Sequence, residues 1–365
     1  MPTTEHAYWL AFNQLTKIGP VRLKKILQGF PSMEQAWQAN RQALLKIGLE
    51  NDLIDYFFLE REAIDPEALE RALEREQIKT LVLTDPEYPT LLKEIYDPPP
   101  LLYYRGQMKN ADEFRLAVVG TRKISTYGRQ VTEEIVNELA CQDLTIVSGL
   151  ALGVDSMAHE ATLTQDGRTI AVLGSGLDWA SIYPHTNRRL VERIVQGGGA
   201  VISEFPLATL PLKHHFPIRN RIISGLSLGT LVIEADEESG SLITAKAALD
   251  QNREVFSVPG SIYAPSSRGT NQLIKDGAKL TTSAADILES LNLSQIKSYI
   301  QNQIILPDSP EEAAVIKYLS KEPIHIDELI RQSGLNPSRV MSVLTSMEMK
   351  GRVKNLGGMN YVLSR

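Results

Sequence analysis

A single cysteine, Cys141, among 365 residues excludes an internal disulfide. It follows the helix-like run Val136-Asn-Glu-Leu-Ala140, where a buried small side chain is expected rather than a reactive thiol. Long apolar runs are missing too: nowhere are there the ~18 consecutive apolar residues that a membrane-crossing helix needs. The opening Met1-Pro2-Thr3-Thr4-Glu5-His6 lacks the charged-then-apolar order of a secretory leader. A cytoplasmic protein with no membrane partner is the expectation. There is no basic excess either. With 38 Lys plus Arg against 44 Asp plus Glu, the net charge is −6, so any hold on a polyanion must come from a local patch.

Several chemical signatures are absent as well. His159-Glu160 is followed by Leu163 where a zinc-binding H-E-x-x-H would place its second histidine, so no metal is expected. Ser175, in Val172-Leu-Gly-Ser-Gly176, lacks the leading glycine of a nucleophile elbow. The phosphate-cradling G-x-x-x-x-G-K-[ST] loop does not occur, and Gly174-Ser-Gly176 stops short of a dinucleotide fingerprint, with Trp179 at the third glycine's place. No cofactor and no catalytic residue is therefore expected.

What is present divides the chain. Leu15, Ile18, Val21, Leu23, Ile26 and Leu27 recur at helical spacing, broken at Gly19-Pro20 and Gly29-Phe30-Pro31, which predicts a small helical domain over residues 1–80 of SAM or helix-hairpin-helix kind. Lys17 to Leu27 reads either as a glycine turn whose helix amides meet a phosphate or as a plain joint between helices. Over residues 81–295 the rhythm changes. Arg115–Gly120, Leu144–Gly149, Thr169–Gly174, Ala200–Glu204, Thr230–Ala235 and Glu254–Pro259 are continuous apolar runs separated by helical periods. Such runs suit strands buried on both faces, hence an α/β, Rossmann-like doubly wound fold with a mostly parallel sheet. A polar linker, 296–308, precedes a winged helix over 309–365. Its three helical patterns start at Pro310, Ile326 and Pro337, and a hairpin turns at Gly357-Gly358. From Leu306 to Arg365 there are eight Lys plus Arg against seven Asp plus Glu, so this module is barely basic.

Charge is inverted locally in the central domain. No carboxylate occurs from Phe205 to Ile233, while Lys213, Phe216, Arg219, Asn220 and Arg221 fall close together. Cations that follow a backbone, with a ring on which a base stacks, are what a single-stranded nucleic acid requires. Burying an arginine without a partner is costly, so Arg221 is expected to pair with Glu204 or Glu234. Three of the strands end in glycine, at Gly120, Gly149 and Gly174, at the carboxyl edge of the sheet, where such folds hold ligands. The first two bring Gly120 with Arg122, and Ser148 with Gly149. The loop Ser239 to Thr244, with Gly240 and Ser241, reads equally as a phosphate cradle or a helix cap. Asp155 and His159, four apart, read as a hydrogen-bonded cap of the helix they occupy.

Those motifs together resemble the DNA-processing protein A (DprA/Smf) family. They run in order as Val118-Val-Gly-Thr-Arg122, Ser148-Gly-Leu-Ala-Leu-Gly-Val-Asp155, and Ala171-Val-Leu-Gly-Ser-Gly-Leu-Asp178 with Tyr183-Pro184. Ser203-Glu-Phe-Pro206, His215-Phe-Pro-Ile-Arg-Asn-Arg221, Ser239-Gly-Ser-Leu-Ile-Thr-Ala245, Val258-Pro-Gly260 and Gly269-Thr-Asn271 to Gly277-Ala278 follow. The resemblance implies a non-catalytic mediator of natural transformation that binds and protects single-stranded DNA and helps load the RecA recombinase. It also implies a homodimer formed through the Rossmann domain. The family's DNA pocket falls here on Arg122, Lys213 and Phe216, with Arg219 and Asn220 beside them. Leu152 departs from the pattern, because many relatives carry an arginine there. Two rival readings stand: a nucleotide- or nucleoside-processing Rossmann enzyme with Glu204 or Glu234 as acid or base, and a duplex-reading transcription regulator.

Overall fold

The computed structural model describes residues 4–108, 114–292, 309–319, 324–349, 353–355 and 357–363. The chain divides into two compact units, Met1–Ile287 and Leu288–Arg365. The expected linker, 296–308, lies outside the described residues.

The first unit opens with six helices: α1 (Glu5–Gln14), α2 (Pro20–Gly29), α3 (Met33–Gln38), α4 (Arg41–Lys46), α5 (Asn51–Arg61) and α6 (Pro66–Arg75). Their starts follow local chemistry. Thr4, Ser32, Asn40 and Asp65 each accept a first-turn amide with the side chain, and Pro20 and Pro66 occupy first positions that need no amide. Phe12, Trp37 and Phe57 pack together with ring centroids 5.1, 5.6 and 5.4 Å apart. That cluster joins Tyr103, Leu173, Leu177 and Val201 in one continuous core, so the helices cover one face of the sheet.

Then come β1 (Lys79–Val82), α7 (Thr90–Lys93), β2 (Leu101–Gly106), β3 (Arg115–Val119), α8 (Thr126–Cys141), β4 (Thr145–Ser148), α9 (Val154–Thr164) and β5 (Thr169–Leu173). They are followed by α10 (Arg188–Gln196), β6 (Ala200–Ser203), α11 (His215–Gly225), β7 (Gly229–Val232), α12 (Gly240–Asp250), β8 (Glu254–Ser257), α13 (Arg268–Lys275), β9 (Lys279–Leu280) and α14 (Ala284–Ser290). All six expected strands form. Every residue of β3, β4, β5, β6 and β7 is buried, which is why their sequences are mostly apolar, with Arg, Thr or Ser only at or next to a strand end, rather than alternating. The sheet order is β1-β2-β6-β5-β4-β3-β7-β8-β9. Pairs from β6 through β9 are parallel, whereas β1–β2 and β2–β6 are antiparallel. The chain builds outward from β3 through β4, β5 and β6, then crosses to lay β7 on the other side of β3. This reversal opens a crevice at the carboxyl ends of β3 and β7.

Cys141, expected buried, is exposed at the last residue of α8, off the helix face that buries Ile135, Val136 and Leu139. The expected cap of α9 also differs. Its N-cap is Gly153 at φ +84°, and the Asp155 carboxylate instead accepts the Gly149 and Ala151 amides of the preceding loop at 3.1 and 3.4 Å.

In the second unit, α15 (Pro310–Ile316), β10 (Ile324–His325), α16 (Ile326–Ser333), α17 (Pro337–Met349), β11 (Val353–Asn355) and β12 (Asn360–Leu363) form a winged helix with strand order β10-β12-β11. Val315, Leu329, Val340, Leu344 and Met347 fill its core.

Candidate nucleic-acid interface

The crevice between β3 and β7 holds a cavity of about 180 Å³. Gly120 and Arg122 reach it from the loop after β3, Ala151 from the loop after β4, and Ser239, Gly240, Ser241 and Thr244 from the start of α12. Val119 and the Asp155 carboxylate also line it, and the remaining wall is one face of α11. Phe216, Arg219, Asn220 and Ile223 stand at i, i+3, i+4 and i+7, and Pro217 is tolerated because it lies in the first turn.

Arg219 is the deeper of the cavity's two arginines, at 4% exposure. Its Nη1 donates to the carbonyls of Gly149, at 2.6 Å, and Val172, while its Nε has no partner among the described residues. Burial pushes its pKa down to about 10, against the pull of Asp155, so it stays charged at neutral pH. Asp155 responds in the opposite sense. Burial raises its carboxyl, opposed by Arg219, the two loop amides and Arg122. Arg122 is exposed, and its guanidinium lies 5.1 Å from the centroid of the Phe216 ring. Among the described residues it has no ion pair or hydrogen bond, so a cation–π contact alone places it. Arg219 lies 5.9 Å from the same ring.

Asn220 donates to the Gly240 carbonyl at 3.2 Å, tying α11 to the start of α12. The Ser239 hydroxyl accepts the Ser241 amide and stands 2.8 Å from the Ser241 hydroxyl, so this loop caps α12 while it borders the cavity. A smaller hollow of about 30 Å³ adjoins, lined by Arg122, Gly149, Ala151, Leu152, Tyr183, Pro184 and Phe216.

Of the residues expected at this site, Gly120, Arg122, Phe216, Arg219, Asn220, Gly240 and Ser241 meet in the cavity, and Gly149 lines the hollow. Ser148 does not reach either. It is fully buried, and its hydroxyl donates inward to the Val118 carbonyl at 2.6 Å. Lys213 is exposed on the approach to α11, outside both linings. Sequence reasoning missed Ile223, which the i+7 spacing from Phe216 would have found, and Tyr183, noted only as part of a motif.

The carboxylates that an enzyme would need are engaged. Arg221 pairs with Glu204, as expected, and with Asp97 at 3.0 Å. Burial raises Glu204, opposed by Arg221. Glu234 accepts the Ser125 amide and hydroxyl at 2.9 and 2.7 Å and the Ser266 hydroxyl at 3.0 Å, clipping three segments together. His159 is wholly buried against Thr169, at 2.6 Å from its hydroxyl, and burial lowers its pKa to about 3, with Arg219 adding to the effect.

Residues 79–292 match the family described as DNA recombination-mediator protein A, and residues 302–359 match the DprA winged helix domain. The chain belongs to the DprA/Smf family. It is 36% identical to Protein Smf of Synechocystis sp. over 99% of both chains. It is 46% identical to DNA processing protein DprA of Bacillus subtilis over 60% of this chain and 73% of that one. Among solved structures, DprA of Streptococcus pneumoniae matches with a TM-score of 0.67 at 37% identity, covering 79% of this chain and 98% of that chain. DNA processing protein A of Helicobacter pylori, solved for its single-stranded DNA binding mode, matches with a TM-score of 0.53 at 33% identity, covering 60% and 97%. DprA/Smf membership assigns the chain to the DNA recombination mediators. Among the described residues, no helix is long and apolar enough to cross a membrane and no cluster of potential metal ligands occurs.

Proposed function

We propose that this DprA/Smf protein binds single-stranded DNA in the β3/β7 crevice, non-catalytically, and delivers it in the cytoplasm to the RecA recombinase during natural transformation. The observation that carries this reading is a pair of arginines at one cavity whose lining holds a single carboxylate, the buried Asp155. Arg219 is buried in the field of Asp155 with a donor unspent, and Arg122 lies above an aromatic ring, neither of them in an ion pair among the described residues. Charged donors at a water-poor crevice suit a phosphate, and the single-stranded DNA binding mode for which the Helicobacter pylori relative was solved supports a polynucleotide as its source. Lys213, on the approach, extends the positive path along the strand. Two copies join through the Rossmann domain. β9, an edge strand of two residues with Leu280 exposed, leaves that side of the sheet open.

The test is the salt dependence of binding to an oligothymidylate. Arg122→Ala is expected to weaken binding on every sequence and to flatten the slope of log affinity against log salt by about 0.7 for each phosphate no longer neutralised. An unchanged slope and affinity would reject the crevice as the DNA site. Turnover of any member of a nucleotide panel, abolished in Glu234→Gln, would favour the enzyme instead. The engagement of Glu204 with Arg221 and of Glu234 with Ser125 and Ser266 speaks against that outcome.

A further inference from the structure

The helical module at the start of the chain holds a second basic place. No carboxylate occurs from His6 to Met33, a stretch that carries Lys17, Arg22, Lys24 and Lys25. The tripeptide Lys-Ile-Gly occurs twice, at Lys17–Gly19 and Lys46–Gly48, each time shortly ahead of a helix, α2 or α5. Ile18 is buried and Ile47 packs against the same core, which fixes both turns and leaves their lysines exposed. The turns border one hollow of about 330 Å³, lined from the first by Gly19, Val21, Arg22 and Lys25 and from the second by Gly48 and Glu50. Arg22 joins the two, donating to the Lys17 carbonyl at 2.9 Å and to Glu50, the one carboxylate of the lining, at 3.1 Å. Lys25 donates to the Gly48 carbonyl at 3.5 Å. Among the described residues Lys17, Lys24, Lys25 and Lys46 form no ion pair, so the positive charge around the hollow is not cancelled. Gly19 is an independent sign. Its φ of −76° is open to any residue, and a Cβ there would meet no protein atom within 4 Å. Neither backbone nor packing asks for a glycine, whereas a ligand approaching the main chain does.

We infer that this hollow and the lysines around it form a second DNA site, one that grips the phosphate backbone of a duplex without reading its sequence. Lysine meets phosphate as a point charge, and contacts of that kind position DNA but carry no sequence information. An unpaired base would find no platform here. Tyr56, the ring beside the first turn, is half-buried, with the Lys17 Nζ already 4.7 Å from its centroid. What remains is backbone contact, and a duplex offers it densely, at one charge per ~1.7 Å of its axis. A protein partner would ask instead for an apolar centre with few lysines. Val21, at 59% exposure, is the one exposed apolar side chain of the lining. None of these residues lines the β3/β7 cavity, so the site stands whether or not the crevice takes a single strand.

The experiment measures the binding of a labelled duplex of mixed sequence to the full chain at low salt, and its salt dependence. The native chain is expected to bind it. Lys17→Gln, Lys25→Gln and Lys46→Gln combined should weaken that binding at least about tenfold and flatten the slope of log affinity against log salt by about 0.9 for each phosphate released. Gly19→Asp probes the floor of the hollow. An aspartate there caps α2, so the urea midpoint should equal or exceed the native one, while the added carboxylate should drive the duplex off. Arg122→Ala should leave duplex binding as it is, and the lysine variant should keep the part of oligothymidylate binding that depends on Arg122. A native chain that binds no duplex overturns the inference, as does duplex binding that survives both the lysine variant and Gly19→Asp. Duplex binding lost in Arg122→Ala but kept in the lysine variant would belong to the crevice and overturns it too. Oligothymidylate binding indifferent to Arg122 would reject the crevice reading alone, and loss of the duplex in the lysine variant would still support this site.

Discussion

Arg219 and His159 show how much the crevice depends on keeping ionisable groups out of water. Arg219 stays charged because two carbonyls and the field of Asp155 compensate its burial. His159 has only the Thr169 hydroxyl on one ring nitrogen and, among the described residues, nothing on the other, and its burial holds it neutral. Its pKa falls from an ordinary value near 6.5 to about 3. Between those values the unfolded chain takes up a proton that the folded chain refuses. Its contribution to stability is therefore complete above pH 6.5 and is lost as the pH falls toward 3. Asp155, raised by burial, acts in the opposite sense, its share being lost as the pH rises through its folded value. Replacing His159 with Gln keeps a partner for Thr169 but removes the titration. The urea midpoint of His159→Gln is expected to fall less steeply between pH 7 and pH 4 than that of the native protein. Parallel curves would show that His159 does not carry this acid sensitivity.

At the scale of elements, the loop between β3 and α8 lies close against the start of α9. The Val154 amide donates to the Thr121 carbonyl at 3.2 Å, and Gly153 adopts φ +84°. A Cβ on Gly153 would lie 2.3 Å from the Thr121 oxygen. Gly153→Ala is therefore expected to destabilise the protein by at least about 1–2 kcal/mol, from the left-handed backbone alone. It should also weaken single-strand binding, because the segment it displaces carries Arg122. An unchanged urea midpoint and affinity would contradict that coupling. The sequence pattern conveyed the central strands well because burial on both faces leaves no alternation to confuse the reading. It conveyed little of β1 and β2, whose antiparallel pairing at the sheet edge leaves no signature as strong as an all-apolar run. The face of α11 was legible from spacing, which brings Phe216, Arg219 and Asn220 together. Depth was not. Ser148 ends a strand buried on both sides, and Lys213 precedes the helix turn that would have aimed it inward, and neither fact follows from residue type. Asp155 looked like a cap because it is an acid in a first turn, yet the loop amides behind it were the nearer donors.

The whole molecule carries a net charge of −6, so its general field repels DNA and any affinity must arise where the field is locally reversed. The winged helix does not supply such a place on the helix that modules of its kind present to a groove. On α17 the exposed residues Ser338, Met341, Ser342, Thr345 and Met349 are uncharged. Arg339 is paired with Glu311 at 3.2 Å, and the Glu348 carboxylate accepts the Asn355 amide at 3.3 Å. A duplex docked on that helix would find few cations to release its counterions. The crevice between β3 and β7 meets the opposite condition, and on the function proposed above its recessed arginine at α11 would reach only a phosphate that a flexible strand can bring inward. A duplex, stiff over about 150 base pairs, cannot bend its backbone into a cavity of this size. In competition for the full chain at a fixed salt concentration, a duplex should therefore displace a labelled oligothymidylate at least about tenfold less effectively than an unlabelled single strand of the same length. Raising the salt should weaken single-strand binding along a slope that Arg122→Ala reduces. Equal competition by the duplex, with a slope indifferent to Arg122, would move the DNA site out of the crevice.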